Sequence, residues 1–134
     1  MGQNERIIRD AYARYAKGEF TTKLQIFADD IVWRSSGAPN RMTTAGEWHG
    51  IKGVVAYFTA LFREWRIEAF DLVELVAEGD NRFVARISLA LRHNGTGSRV
   101  QLEKVDFVTM DGGKCTSFSE IFDAAPTERA ARFR

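Results

Sequence analysis

The chain has 134 residues, enough for one domain with one sizeable hydrophobic core. Its 19 lysines and arginines balance 18 aspartates and glutamates, so the net charge of +1 excludes a general attraction to nucleic acid or to an anionic membrane. Cys115 is the only cysteine, which excludes an intramolecular disulfide, and no cysteines and histidines have the spacing of a zinc site. We expect a cytoplasmic protein without metal, organic cofactor, signal peptide or membrane-spanning helix.

Three helices are predicted in the first half of the chain. Asn4 can cap the first helix, whose apolar side chains recur at helical spacing until Gly18 ends it. Thr21 or Thr22 can cap a second, short helix that stops before a β-rich stretch. A loop over residues 36–49 follows, and periodicity does not predict its path. A strong apolar stripe then marks the third helix, and its members are Val54, Phe58, Leu61, Phe62 and Trp65.

Four strands are predicted in the rest of the chain, separated by turns rich in glycine, asparagine and aspartate. They span residues 66–78, 82–93, 99–110 and 114–123. In the second strand, apolar residues alternate with a face that carries Arg82, Arg86 and Arg92, so one face lines a core and the other is solvated or faces a second chain. Helices followed by an antiparallel sheet predict an α+β fold. Residues 124–134 are predicted to form a loosely held basic tail.

The last predicted hairpin places a carboxylate in a row of aromatic side chains. In a strand, Phe118, Glu120 and Phe122 lie on one face. If residues 112–113 form a two-residue turn, the same face receives side chains from the preceding strand. The predicted cross-strand pairs are Phe107 with Phe118 and Val105 with Glu120. This face either encloses a cavity under the third helix or forms an outer surface that pairs with another chain.

Several stretches resemble the SnoaL-like branch of the nuclear transport factor 2-like superfamily. They are Ile26-Phe-Ala-Asp-Asp-Ile-Val-Trp33, Trp48-His-Gly50, and the ending from Asp111-Gly-Gly-Lys114 to Glu120-Ile-Phe-Asp123. The resemblance covers residues 4–123 of one expected domain over residues 1–134. It implies a cone with an internal pocket, in which three N-terminal helices pack in the concave face of a curved, mainly antiparallel sheet. It also implies a homodimer through the outer face of that sheet.

Two better-understood groups of this superfamily imply different catalytic residues. The functional positions of ketosteroid isomerases fall at Ala11, Ser35 and Val105, none of which is the required tyrosine or carboxylic acid. Limonene-epoxide-hydrolase-like members have an Arg-x-Asp pair on an inner strand and an aspartate on the last strand. Glu120 occupies that last position, but we find no inward-facing Arg-x-Asp pair. The matched positions direct the following residues toward the pocket: Trp33, Ser35, Val105, Phe107 and Glu120.

Glu120 is therefore the predicted acidic group of an otherwise apolar pocket. Burial disfavours an ionised carboxylate, so we expect a raised pKa for Glu120 and a role as general acid or base. Ser35 and His49 are the candidates to orient a substrate beside it. The predicted ligand-binding residues are Tyr12, Tyr15, Trp33, Phe58, Phe62, Val105, Phe107, Phe118 and Phe122. Each has a structural alternative: Glu120 can be a paired structural carboxylate, His49 a capping residue, and the aromatic rings core.

The resemblance implies a small apolar partner, of polyketide or steroid type, and a cofactor-free isomerase, cyclase or hydrolase. The alternative is a non-catalytic dimeric module that binds a ligand or docks another protein. Nucleic acid and membranes are not expected partners, because charge is balanced and no aromatic side chains interleave with the arginines of the second strand.

Overall fold

Six strands and a few helices make up the computed structural model, which describes residues 2–19 and 24–132. In chain order the elements are α1 (Gln3–Ala16), a 3-10 helix (Leu24–Ile26), β1 (Phe27–Ser35), β2 (Gly46–His49), α2 (Gly50–Glu64), β3 (Trp65–Glu78), β4 (Arg82–His93), β5 (Arg99–Asp111), β6 (Lys114–Ile121) and α3 (Ala125–Ala130). The strands form one sheet in the order β2-β1-β6-β5-β4-β3. All neighbours are antiparallel except β1 and β6, which are parallel. The predicted α+β fold, with helices packed on a curved, mainly antiparallel sheet, is confirmed.

Helix α1 ends where the sequence predicts but begins differently. Gly2, rather than Asn4, precedes the helix. Asn4 lies inside the first turn, where its side-chain amide donates to the Asp80 carbonyl (2.8 Å) and its oxygen accepts from the Gly113 amide (3.1 Å). Gly18 follows the helix with a φ of +88°, a conformation that glycine adopts without strain. Asn4 therefore ties α1 to the β3–β4 and β5–β6 turns instead of capping it.

The segment between α1 and α2 contains less helix and more strand than expected. The predicted second helix is a single 3-10 turn, and its predicted caps, Thr21 and Thr22, lie outside the described residues. Strand β1 starts directly after it, because Phe27 already pairs with Cys115 of β6. The predicted loop contains β2, which pairs with the end of β1 and brings Trp48 opposite Trp33.

The predicted basic tail contains a helix. Residues 125–130 form α3, in which Pro126 occupies the first turn. The side chains of Thr127 and Ala130 are buried, and the Thr127 hydroxyl donates to the Ala124 carbonyl (2.6 Å). The expectation of a loosely held tail is wrong for this segment, because a short helix closes one end of the core. The third α-helix is therefore C-terminal, not N-terminal.

The core lies between the inner face of the sheet and the helices. Strand β4 forms its central wall, as its alternation predicts, with five buried side chains: Phe83, Ala85, Ile87, Leu89 and Leu91. Two arginines of the opposite face are paired: Arg86 contacts Glu74 (2.9 Å) and Glu103 (3.3 Å), and Arg92 contacts Glu68 (3.0 Å). No helix in the described part of the chain combines the length and the hydropathy that a membrane span requires.

Candidate functional site

A bulge in the β5–β6 hairpin decides which side chains face the interior. Next to the turn, Met110 pairs with Cys115, as a two-residue turn predicts. Thr116 is then skipped, and Thr109 pairs with Ser117. Because side chains alternate along a strand, this single extra residue exchanges the inward and outward sets of β5 relative to β6. The inward residues of β5 are therefore Lys104, Asp106, Val108 and Met110.

The bulge overturns two predicted site residues. Val105 and Phe107 were expected to line the pocket opposite Glu120 and Phe118. In the structure, Val108 lies opposite Phe118, and Phe107 is on the outer face with 44% of its surface exposed. Val105 pairs with Ile121 on the same outer face. Both predictions are wrong, because they assumed a hairpin without a bulge.

Lys104, Asp106 and Glu120 form a buried charged cluster. Glu120 on β6 stands opposite Asp106 on β5, and Lys104 is two residues before Asp106 on the same face. Lys104 Nζ donates to Glu120 Oε1 (2.7 Å) and lies 3.2 Å from Asp106 Oδ1. Asp106 is 0% and Glu120 5% exposed. One ammonium is thus shared by two carboxylates in the interior, an arrangement that separates their pKa values.

The pKa values of Asp106 and Glu120 shift in opposite directions. Burial raises the pKa of Asp106 to about 6, because the lowering effect of Lys104 is partly offset by the negative charge of Glu120. Burial also acts to raise the pKa of Glu120, but the charge and hydrogen bond of Lys104 and further hydrogen bonds lower it below its usual value. The predicted raised pKa of Glu120 is therefore wrong, and the raised pKa belongs to Asp106. Burial acts to lower the pKa of Lys104, but the two carboxylates raise it, so the ammonium stays charged.

Hydroxyl groups hold both carboxylates in place. Ser35 Oγ donates to Glu120 Oε2 (2.7 Å), and the Tyr57 hydroxyl donates to the same oxygen. The Tyr12 hydroxyl donates to Asp106 Oδ2 (2.6 Å). Ser35 therefore positions Glu120. Tyr57 was not predicted, although it lies three residues after Val54 on the buried face of α2, and helical spacing could have identified it.

Two interior cavities flank the charged cluster. The larger has a volume of about 100 Å³, is lined mainly by aromatic and aliphatic side chains, and includes Asp106 in its wall. The smaller, of about 50 Å³, includes Glu120. Four residues belong to both walls and separate the cavities: Tyr15, Tyr57, Phe70 and Lys104. Asp106 and Glu120 therefore face different spaces on either side of Lys104.

Most of the other predicted ligand-binding residues line these cavities. The larger cavity is lined by Tyr12, Tyr15, Trp33, Phe58 and Phe118. Phe122 lines the smaller one. Phe62 lines neither and stacks on Phe58, with ring centroids 6.0 Å apart.

His49 lies outside the site. It directly precedes α2, and its side chain is 67% exposed. Its Nε2 is 3.0 Å from Oε1 of Glu47, on β2. The structure therefore does not bring His49 together with Glu120 and Ser35. The predicted substrate-orienting position is a surface position instead.

The charged cluster also changes the comparison with limonene-epoxide-hydrolase-like members. Strand β5 carries a cation-x-Asp pair, Lys104 and Asp106, and this pair faces Glu120 of the last strand. Lysine stands in place of the arginine and glutamate in place of the aspartate. An inward-facing Arg-x-Asp pair is absent from the described residues, as predicted, but this Lys-x-Asp pair was missed because the predicted register turned both β5 residues outward.

Cys115 is the one cysteine in the wall of the larger cavity. Burial raises its pKa to about 12, so the thiol stays protonated. In residues 2–19 and 24–132, no three histidine, cysteine, aspartate or glutamate side chains are grouped so that they could hold a metal ion.

Comparison with solved structures defines the fold. An NTF2-like protein of unknown function from Burkholderia pseudomallei K96243 superposes with a TM-score of 0.85 at 21% identity, over 99% of this chain and 100% of that one. TerC, co-crystallized with polyporic acid, superposes with a TM-score of 0.82 at 20% identity, over 97% and 98% of the two chains. The chain therefore has an NTF2-like fold.

Sequence comparison defines the family within that fold. The model of the SnoaL-like domain matches residues 8–118, and the chain belongs to this family. The uncharacterized protein Rv0034 of Mycobacterium tuberculosis is 27% identical over 125 residues, which are 91% of each chain. The predicted resemblance to the SnoaL-like branch of the nuclear transport factor 2-like superfamily is confirmed.

Proposed function

We propose that the chain is a cofactor-free enzyme that moves a proton on a small, mostly apolar molecule in the larger cavity. The observation that carries this proposal is Asp106. It is a fully buried carboxyl group in the wall of an apolar cavity, with a pKa of about 6. A group with this pKa gives up and takes back a proton near neutral pH, which is what a general acid or base does.

The surrounding residues fit distinct roles in such a reaction. Asp106 Oδ1 takes a proton from a carbon or oxygen of the substrate, while Oδ2 is held by Tyr12. Lys104 stays charged at the cavity wall and stabilises negative charge that develops on a substrate oxygen. Glu120 stays ionised and positions Lys104 through the 2.7 Å contact. Asp106 then returns the proton to another substrate atom, so the product is an isomer or a closed ring, and no co-reactant is consumed.

The test is proton exchange on small cyclic ketones, which needs no knowledge of the natural substrate. Cyclopentanone and cyclohexanone in D₂O lose their α-proton NMR signals as a base exchanges those protons for deuterium. We expect the protein to accelerate this loss, with a rate that rises with pH through about 6 as Asp106 ionises. Asp106→Asn should reduce the rate to that of buffer. Asp71→Asn, which removes an exposed aspartate of β3, is the matched control and should exchange like the wild type. Equal rates in wild type and Asp106→Asn would overturn the proposal.

The outer face of the sheet supports a second candidate, the dimeric binding module. Val76, Val84 and Phe107 lie side by side on β3, β4 and β5, and Val105 pairs with Ile121 next to them. Three of these residues are strongly exposed: Val76 by 56%, Ile121 by 54% and Phe107 by 44%. Exposed apolar areas of this kind mark interaction sites. We infer a homodimer through this face, which either function accommodates.

One measurement tests the homodimer, and a second separates the two candidate functions. Phe107→Glu should convert a dimer to a monomer in size-exclusion chromatography with light scattering. Val55→Glu changes an equally exposed apolar residue of α2 and should leave the dimer intact. A wild-type monomer would contradict the dimer. A module without catalysis would be stabilised by cyclic ketones, yet would not exchange their protons.

A further inference from the structure

The wall of the larger cavity includes Trp33, whose buried indole N–H has no acceptor among the described residues. Trp33 is 4% exposed, and its ring stacks on Phe118 with centroids 3.9 Å apart. Among the described residues, none accepts a hydrogen bond from its indole Nε1. Buried polar groups in folded proteins are nearly always satisfied, and an orphaned N–H costs stability that a phenylalanine at this position would avoid. The indole N–H therefore points to an acceptor that a ligand supplies.

Asp106 contains a second incomplete polar atom in the same wall. Its Oδ2 accepts the Tyr12 hydrogen bond. Its Oδ1 lies 3.2 Å from Lys104 Nζ as an ion pair but makes no hydrogen bond of normal geometry in the described part of the chain. This oxygen, the one proposed above to move the proton, can accept a hydrogen bond from a ligand hydroxyl.

Trp33 and Asp106 lie on the same inner face of the sheet, two strands apart. Ser35 of β1 pairs with Glu120 of β6, which pairs with Asp106 of β5, and Trp33 is two residues before Ser35. Two strand spacings and a two-residue offset place the Cα atoms of Trp33 and Asp106 roughly 12 Å apart on the inner face. Both residues line the larger cavity, whose volume of about 100 Å³ suits a molecule close in size to one six-membered ring.

We infer that the larger cavity binds a single six-membered ring that carries oxygens on opposite sides. A hydroxyl on one side donates to Asp106 Oδ1, and a carbonyl or hydroxyl on the other accepts from Trp33 Nε1. Hydroquinones, enols of cyclic diketones and hydroxycyclohexenones have this pattern. The inference rests on the proposed role of Asp106 and adds the chemical class of the substrate.

Three probes of one shape test the inference by calorimetric titration under nitrogen. Hydroquinone has both oxygens, 4-methylphenol has one and p-xylene has none. We expect hydroquinone to bind the wild type most tightly. Trp33→Phe should weaken hydroquinone about five- to tenfold and leave 4-methylphenol and p-xylene within about twofold. Asp106→Asn should weaken both hydroxylated probes about fivefold or more and leave p-xylene unchanged, because a charged acceptor is lost.

The p-xylene titrations separate hydrogen bonding from altered packing. Equal weakening of all three probes by Trp33→Phe would overturn the inference, as would a wild type that binds hydroquinone no better than p-xylene. A readout on the wild type avoids any folding defect of the variant. The Trp33 indole proton should shift downfield in NMR spectra with hydroquinone and stay in place with 4-methylphenol, and an unmoved signal with hydroquinone would also overturn the inference.

Failure of the ligand class is distinguishable from failure of the proposed function. The titrations require no turnover, and Trp33 takes no part in proton transfer. Selective binding of hydroquinone without ketone exchange would support the ligand class and refute the catalytic role. Ketone exchange that depends on Asp106, combined with hydroquinone binding that Trp33→Phe does not weaken selectively, would support the catalytic role and refute the ligand class.

Discussion

Replacing Asp106 by asparagine should make the protein more stable at pH 8 while it abolishes proton exchange. The pKa of this buried group rises from the usual 3.8 to about 6, and two units correspond to about 3 kcal/mol. Because the pKa is higher in the folded state, that state binds more protons between pH 4 and 6, and stability falls as the pH rises through this range. Above pH 6 the whole of this contribution of Asp106 to the free energy of unfolding is lost. Asparagine has the same shape, accepts the Tyr12 hydrogen bond and has no charge to bury.

Urea unfolding at pH 4, 6 and 8, followed by tryptophan fluorescence, measures this effect. The difference in the free energy of unfolding between wild type and Asp106→Asn isolates the effect of Asp106 from that of all other titrating groups. We expect that difference to shift by about 3 kcal/mol in favour of the variant between pH 4 and 8, or on the order of 10 °C in Tm. Asp71→Asn should run parallel to the wild type. If Asp106→Asn were less stable than the wild type at pH 8, with no change in the difference between pH 4 and 6, Asp106 would be a stabilising partner of Lys104 and not a poised acid.

Three further results are expected. Glu120→Gln should lower the free energy of unfolding at pH 7 by about 3 kcal/mol, because Lys104 loses its closest partner. Since the pKa of Glu120 is lowered in the folded state, this loss of stability should shrink as the pH falls below 4.5, the usual pKa of glutamate. An undiminished loss in urea titrations at pH 3 would contradict the lowered pKa. Tyr12→Phe removes a hydrogen bond that lowers the pKa of Asp106, so the midpoint of the pH profile for ketone exchange should move above 6; an unchanged midpoint would show that this bond does not act on Asp106. The thiol of Cys115 should react slowly with a disulfide reagent at pH 8 in the folded protein and quickly in urea, and a fast reaction in both would argue against its burial.

The sheet could be predicted because its strands carry simple alternation. In β4, every second side chain is apolar, and all of them are buried where predicted. The strands β3 to β6 therefore begin and end within about two residues of the expected positions. Strand β2 and helix α3 were missed because a four-residue strand and a six-residue helix are too short for a periodic signal.

The candidate site could be predicted only in part. Glu120 and Ser35 were predicted together, and the structure joins them by a hydrogen bond of 2.7 Å. Their charged neighbours were missed because of one bulged residue, Thr116, whose side chain suits either face of a strand. In sequence, Lys104 and Asp106 resemble a solvent-facing stripe. They are buried because the bulge turns their face of β5 inward, beside Glu120, and this depends on three-dimensional register and not on local pattern.

The most direct test of the account is a carboxyl ¹³C NMR titration of the folded protein, with Asp106 assigned by comparison with Asp106→Asn. We predict that Asp106 titrates near pH 6, while Glu120 titrates below its usual value of 4.5. A midpoint for Asp106 below pH 4 would contradict the central claim, because Asp106 would then be a permanently ionised partner of Lys104 with no proton to exchange near neutral pH.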